Sequence, residues 1–407
     1  MGSTVNFINL NLKDITSTFL DNSARCFTNF NTIHYKNAKA SDINYLPIYL
    51  RVPHITDEIL SKIHNDIFLL MQQGIIRPLI IMATEQWDLF DTFKWKHNRL
   101  NLVPDFGDVP YSQVVKHFTT RSIPEENITW LVPNTQHIRD VSYLREKGYS
   151  IKTKFYTYDF FLEIMKPVAR DYEIKPKNFK RHFSCLCRGT PRNHRYGIIY
   201  NIWKNKLFNK GAISCSSYQK LEESKESNWV NDTVSTETFM NNFEDWEKNK
   251  ELFIGSLPIQ YDNLLNEHWG VEYNEASIFD DNFLWVASET KKPHDGVYIT
   301  EKTWKAIAYG SPFVINGDNR SLQYLKNMGF KTFSEYWDES YDEVDDIEKI
   351  KRITEIIKNI CVKDLDQIND LYKSMIPILQ HNQKILINNT QHTDLIKNLS
   401  ETHGVKI

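Results

Sequence analysis

Apolar positions along the chain alternate between helical spacing and short unbroken runs. Over residues 57–73, Ile59, Leu60, Ile63, Ile67, Leu70 and Met71 recur on one helix face and stop at Gly74, and the run Pro78-Leu-Ile-Ile-Met-Ala83 follows. This predicts a helix over 57–73 leading into a buried strand. The unit recurs, with a short strand expected over 128–132, a polar helix over 137–147 and another strand over 150–156. Helices alternating with short apolar strands predict an α/β fold built on mainly parallel, covered sheets.

Between 171 and 180 the chain turns polar and basic, DYEIKPKNFK, and a new cycle starts with a strand over 183–187. The boundary is placed there. A loop, Arg188-Gly-Thr-Pro-Arg-Asn193, leads into a helix over 194–206 with Ile198, Ile199, Ile202 and Trp203 for its inner face. A strand over 283–287, a helix over 301–309 stopped by Gly310, and a strand over 312–315 complete a second α/β unit. Ile347, Ile350, Ile353, Ile357 and Ile360 then mark a helix, a further helical stretch covers 365–386, and the acidic segment Asp338 to Asp346 favours the first helix start. The domain plan is 1–178, 179–345, and C-terminal helices over 346–407 packing across the two.

At 407 residues the chain exceeds what one core usually supports, which agrees with two domains. A formal net charge of -3 provides no general attraction for nucleic acid or anionic lipid, so any phosphate recognition has to be local. No apolar run reaches the roughly 18 residues of a membrane span and no basic-then-apolar leader opens the sequence, which reads as cytosolic. The five cysteines are scattered, as reduced buried thiols would be. Cys185 and Cys187 point their sulfurs to one face of a strand, and two thiolates do not close a four-ligand zinc site. No metal is expected.

The chemistry concentrates in the second half. Glu289-Thr290 ends a strand, and after a polar loop Tyr298-Ile-Thr-Glu-Lys302 opens a helix. In open α/β sheets, ligands bind at the carboxyl ends of the strands, and a helix start favours phosphate. Lys302 adds a full charge there, while Glu301 and Glu289 can accept hydrogen bonds from vicinal hydroxyls; Thr300 with Glu301 also reads as a plain N-cap and first turn. Arg188, Arg192, His194 and Arg195 gather after the strand over 183–187, and arginine forks suit diphosphate oxygens. In the first half Glu85, just past a strand end, is the candidate general base, with Asp88, Asp91, Asp105 and Asp108 as competitors. Asp364-Leu-Asp366 has metal-motif spacing but lies among helices, where a helix surface is its expected place.

Trp285-Val-Ala-Ser-Glu-Thr290 followed by Tyr298-Ile-Thr-Glu-Lys302 resembles the donor-site signature of glycosyltransferase family 10, the α-1,3-fucosyltransferases. Residues 183–214, Gly329-Phe-Lys-Thr-Phe333 and Asp338-Glu-Ser-Tyr-Asp342 resemble related viral and bacterial proteins, so the resemblance covers about 180–345. It implies a GT-B architecture, two Rossmann-like domains facing a cleft, with the acceptor side in the N-terminal domain and an inverting, metal-independent transfer. Arg195 and Lys302 match the family's pyrophosphate-holding cations, Glu301 the carboxylate on donor hydroxyls, Tyr298 the donor-site tyrosine, and Glu289 the strand-end glutamate. Thr290 stands where the family commonly has Asn, which leaves the sugar open.

The expected activity is hexosyl or pentosyl transfer from a nucleotide sugar, the co-substrate, to a glycan or lipid-linked acceptor. Heavy use of Asn, Ile and Lys fits an AT-rich genome, and a second acceptor class is a hydroxylated base in phage DNA, held by the basic residues of 174–195. A third reading is an inactive nucleotide- or sugar-binding module.

Overall fold

The computed structural model describes residues 5–8, 32–49, 63–82, 110–133, 136–187, 192–217, 234–259, 261, 276–290 and 296–401. By contacts the chain divides into two units: Met1–Ile164 with His294–Gly296 and Asn389–Ile407, and Met165–Pro293 with Val297–Asn388.

Unit 1 contains strands β1 (Val5–Ile8), β2 (Thr32–Ile33), β3 (Ile43–Tyr49), β4 (Ile76–Ile81), β5 (Thr129–Val132) and β6 (Lys154–Thr157). They pair in the order β2-β1-β3-β4-β5-β6, each pair parallel. Its helices are α1 (Asn65–Gln72), α2 (Pro110–Thr119), α3 (Gln136–Glu146) and the start of α4 (Phe160–Asp171), which runs on into unit 2. Ile80, Trp130, Val114 and Phe118 are fully buried in one core, with Trp130 stacked on Phe155 at 5.8 Å. Of the helix expected over 57–73, residues 57–62 lie outside the described residues; α1 itself begins at Asn65, after His64, which is extended (φ -60°, ψ 141°) and whose ring accepts from Asp66 N. That is an N-cap arrangement, invisible to periodicity because Ile59, Leu60 and Ile63 prolong the apolar pattern upstream.

Unit 2 contains β7 (Arg181–Cys187), β8 (Gly211–Cys215), β9 (Asn282–Ser288) and β10 (Phe313–Asn316), parallel and ordered β10-β9-β7-β8. Every residue of β9 is buried, as in a strand covered on both faces. The helices are α5 (Asn193–Lys204), α6 (Thr236–Met240), α7 (Trp246–Gly255), α8 (Ala276–Asp281), α9 (Glu301–Ala308), α10 (Ser321–Asn327), α11 (Asp346–Cys361) and α12 (Leu365–Ile387). A Cβ on Gly197 of α5 would lie 2.8 Å from Ile350 Cδ1 of α11, so glycine is what lets these helices pack closely. Gly310, at φ +56°, ends α9 as expected. The acidic segment before α11 has structural work: Asp345 caps α11, Asp342 accepts from Leu322 and Gln323 N, and Glu339 accepts from Phe333 N. Asp364 caps α12 in a capping box and, like Asp366, is exposed, as expected of a helix surface.

The α/β class with two parallel-sheet units is thus observed. Helices α11 and α12 belong to unit 2, and α13 (Gln391–Glu401) belongs to unit 1, where it packs on β1. Both sheets share the order second-first-third-fourth. In such a sheet the chain first moves outward on one side and then crosses to the other, leaving a switch point at the carboxyl ends of its first and third strands. In unit 2 these are β7 and β9.

The basic turn over 171–180 does not present a uniform cationic face. Lys177 is withdrawn, with its side chain 5% exposed, and Nζ donates to Tyr309 O at 3.0 Å and Phe279 O at 3.2 Å and pairs with Asp280 at 3.3 Å. Burial pushes its pKa down to about 8 against the pull of Asp280. Lys180 pairs with Asp281, and Arg181 donates to Tyr261 Oη. Lys177→Met leaves two carbonyls and a carboxylate without this donor, so it is expected to cost about 3 kcal/mol and lower the melting point by roughly 6–12 °C. A melting curve within a degree of wild type contradicts this.

Candidate functional site

The β7–α5 connection supplies one side of the switch point. Arg192 is extended (φ -141°, ψ 149°) as the N-cap of α5, and the first turn then closes with Arg195 N donating to Arg192 O. Asn193 fixes this helix start: its amide donates to Val234 O at 2.9 Å and accepts from Thr236 Oγ1 at 2.9 Å. Arg192 and Arg195 are each 5% exposed and His194 is 3% exposed. Among the predicted cations His194 has a different task. Its Nε2 lies 2.9 Å from the Glu289 carbonyl, which can only accept, so the ring donates and ties α5 to the end of β9.

The β9–α9 connection supplies the other side. Glu289 is fully buried, and both its oxygens accept from the α9 start: Oε2 from Thr300 Oγ1, and Oε1 from Thr303 Oγ1 at 2.6 Å and Thr303 N at 3.2 Å. A carboxylate from a neighbouring strand therefore caps the helix together with the N-cap residue Thr300. The β10 end closes the knot. Asn316 Nδ2 donates to His194 O and Ser288 Oγ, each at 3.1 Å, and Asn316 O accepts from Glu289 N at 3.0 Å. A Cβ on Gly317 would stand 2.9 Å from Glu289 Cβ, so this approach requires glycine.

On this frame stand the charged groups of α9. Lys302 Nζ donates to Glu301 Oε1 at 2.9 Å and to Thr300 Oγ1 at 3.0 Å. Burial pushes the Glu301 carboxyl up, but the charges of Lys302 and Lys305 and the Lys302 hydrogen bond prevail and hold it at about 2. Lys305 is brought down to about 8 by burial, opposed by Glu301 and assisted by Lys302. Tyr298 is 3% exposed and its N–H donates to Asp318 Oδ2 at 3.0 Å.

The Cys187 thiol is buried at the end of β7. It is held below the usual thiol range by the hydrogen bond from Cys185, against burial, and further by Arg195, Ser288 and Lys302. Arg195 and Lys302, which the sequence places over a hundred positions apart, stand in the first turns of the helices that follow β7 and β9, the two strands of the switch point. As expected, Cys185 and Cys187 share a strand face, with sulfurs 3.8 Å apart, and the four described cysteines are free and buried. Among the described residues no group of three or more His, Cys, Asp or Glu is placed to hold a metal ion, and no helix is long and apolar enough to cross a membrane.

Arg188 and Glu85 lie outside the described residues, as do Asp88, Asp91, Asp105 and Asp108. Residues that sequence reasoning missed are Asp318, Asn316 and Lys305. Asn316 ends β10 and Asp318 follows it, the same kind of position that marks Glu289. Lys305 is the i+4 partner of Glu301, a spacing at which opposite charges meet on a helix.

No family model and no curated protein matches the chain. Among solved structures it is similar to the crystal structure of T4 phage BGT in complex with its UDP-glucose substrate. The identity is 10% over 97% of this chain and 98% of that chain, with a TM-score of 0.42. A likeness at this level carries no inference about activity.

Proposed function

We propose that the chain is a glycosyltransferase that draws its sugar from a nucleotide-sugar donor held at the β7/β9 switch point. The observation that carries this reading is geometric: Arg195 and Lys302 stand in the first turns of the helices that follow β7 and β9, these two starts are tied together by His194 Nε2 donating to the Glu289 carbonyl, and the Glu301 carboxylate lies 2.9 Å from Lys302 Nζ. Cations from two elements suit the two phosphates of a nucleoside diphosphate, and the charge they neutralise grows as the glycosidic bond breaks and the diphosphate departs. Arg192 extends the cationic side, and Arg188, outside the described residues, is proposed for the same task. Glu301 accepts hydrogen bonds from donor hydroxyls, and Tyr298 lines the same approach. Glu289 acts through Thr300 and Thr303 to hold the helix start in place.

In this reading the leaving group is stabilised by side chains alone, and the transfer is inverting and metal-independent in the GT-B manner. Unit 1 provides the acceptor side, with Glu85 as the base that takes the acceptor hydroxyl proton. Glycan and lipid-linked acceptors are the first class. A second acceptor class is a hydroxylated base in DNA, held by the basic residues of 174–195.

The test is transfer of labelled sugar from a set of nucleotide sugars, UDP-glucose among them, to glycan, lipid-linked and hydroxymethylated-DNA acceptors in the presence of EDTA. Transfer that persists in EDTA supports the reading, and a steep loss with added salt selects the DNA acceptor. Donor binding with no turnover on any acceptor supports an inactive binding module instead.

A further inference from the structure

The ammonium that a donor diphosphate would need is already engaged. Lys302 Nζ is held by Glu301 Oε1 at 2.9 Å and Thr300 Oγ1 at 3.0 Å, with the Lys302 and Glu301 side chains 21% and 14% exposed. Lys305, 7% exposed, lies one turn further along the same face of α9 as Glu301. The carboxylate thus has two cations of its own before any ligand arrives, and it stays ionised throughout the neutral range.

An anion approaching Lys302 meets two costs. It has to displace Glu301 from the ammonium, and it then lies beside that same carboxylate in a partly desolvated place, where like charges repel strongly. Bare phosphate or pyrophosphate offers nothing in return. A ligand that also carries hydroxyls does, because they donate to Glu301 and replace the bond that Lys302 gives up. Lys305 remains as the counter-ion during the exchange.

From this geometry we propose that Glu301 is a specificity-determining residue: it competes with phosphate for Lys302, so that the site rejects bare inorganic phosphates. It accepts ligands in which a diphosphate is joined to hydroxyls able to donate to Glu301. The inference rests on reading the switch point as a nucleotide-sugar site, and it adds the means of discrimination.

The experiment is titration calorimetry of the full chain with inorganic pyrophosphate, comparing wild type, Glu301→Gln, Glu301→Ser and the double variant Glu301→Gln/Lys302→Ala. Two Glu301 variants guard against one that fails to fold, and melting curves establish which are folded. Freeing Lys302 is expected to tighten pyrophosphate at least about tenfold in Glu301→Gln, and adding Lys302→Ala is expected to remove that gain. The Glu301 variants are expected to lose affinity for whichever nucleotide sugar shifts the wild-type melting point. Pyrophosphate affinity that is unchanged or weaker in folded Glu301 variants, while Lys302→Ala still abolishes the nucleotide-sugar shift, overturns the competition and leaves the anion site standing. A gain in Glu301→Gln that survives the addition of Lys302→Ala overturns both.

Discussion

Lys302→Ala and Arg195→Ala are each expected to weaken donor binding on the order of 100-fold while the protein remains folded. Truncating one partner of a desolvated, hydrogen-bonded charge pair costs about 2–5 kcal/mol, and a diphosphate bound at the switch point would make such pairs with both side chains. The two variants differ in what they leave behind. Lys302 is 21% exposed, and its removal leaves Glu301 with Lys305, so the melting point should move little. Arg195 is 5% exposed within the first turn of α5, so some stability is lost with it. Calorimetric titration of donor into each variant, alongside its melting curve, separates the two effects. Unchanged affinity in both folded variants rejects the site.

Glu289→Ala is expected to produce the largest loss of stability among single substitutions at the site. Its carboxylate is fully buried and receives Thr300 Oγ1, Thr303 Oγ1 and Thr303 N, so truncation strands three donors at the start of α9. Each stranded buried donor costs about 1–3 kcal/mol, and partial rescue by water leaves a net loss of roughly 3–5 kcal/mol. For a unit of this size that corresponds to a melting point lower by roughly 6–20 °C. Glu289→Gln keeps the shape and one acceptor oxygen, so it should fall between the two. A Glu289→Ala protein with wild-type stability but no donor binding would show instead that Glu289 meets the ligand directly.

The sequence was most legible where apolar pattern and turn chemistry agreed. The expected strand over 183–187 is found as Arg181–Cys187, the helix over 194–206 as Asn193–Lys204, and the helix over 301–309 as Glu301–Ala308 before Gly310. Two elements that break a local rule were not legible. Pro47 stands inside β3 and Pro167 inside α4, and proline argues against a strand or helix interior until packing overrides it. β8, Gly-Ala-Ile-Ser-Cys, is too short and too weakly apolar to stand out, although its pairing with β7 defines the sheet order.

The site divides in the same way. Arg195 and Lys302 could be read because each follows a strand and opens a helix, a local pattern. That their two helix starts are joined side by side depends on strand order, which no local pattern encodes. Glu289 was legible as a strand-end carboxylate, but its partners Thr300 and Thr303 are brought to it only by the return of the chain into α9. The link from His194 to the Glu289 carbonyl and the approach of Gly317 to Glu289 are likewise products of three strands ending side by side.

The central claim, a nucleotide-sugar site at the β7/β9 switch point, is tested most directly by thermal shift with UDP, GDP, CMP and dTDP, alone and as their sugars, on wild type and Lys302→Ala. A ligand at a hundredfold excess over its Kd stabilises the folded state by about 2.7 kcal/mol, which should raise the melting point by several degrees. The account predicts a shift selective for one nucleotide, larger for its sugar conjugate, and abolished by Lys302→Ala. No shift with any of them, or a shift that Lys302→Ala leaves intact, contradicts it.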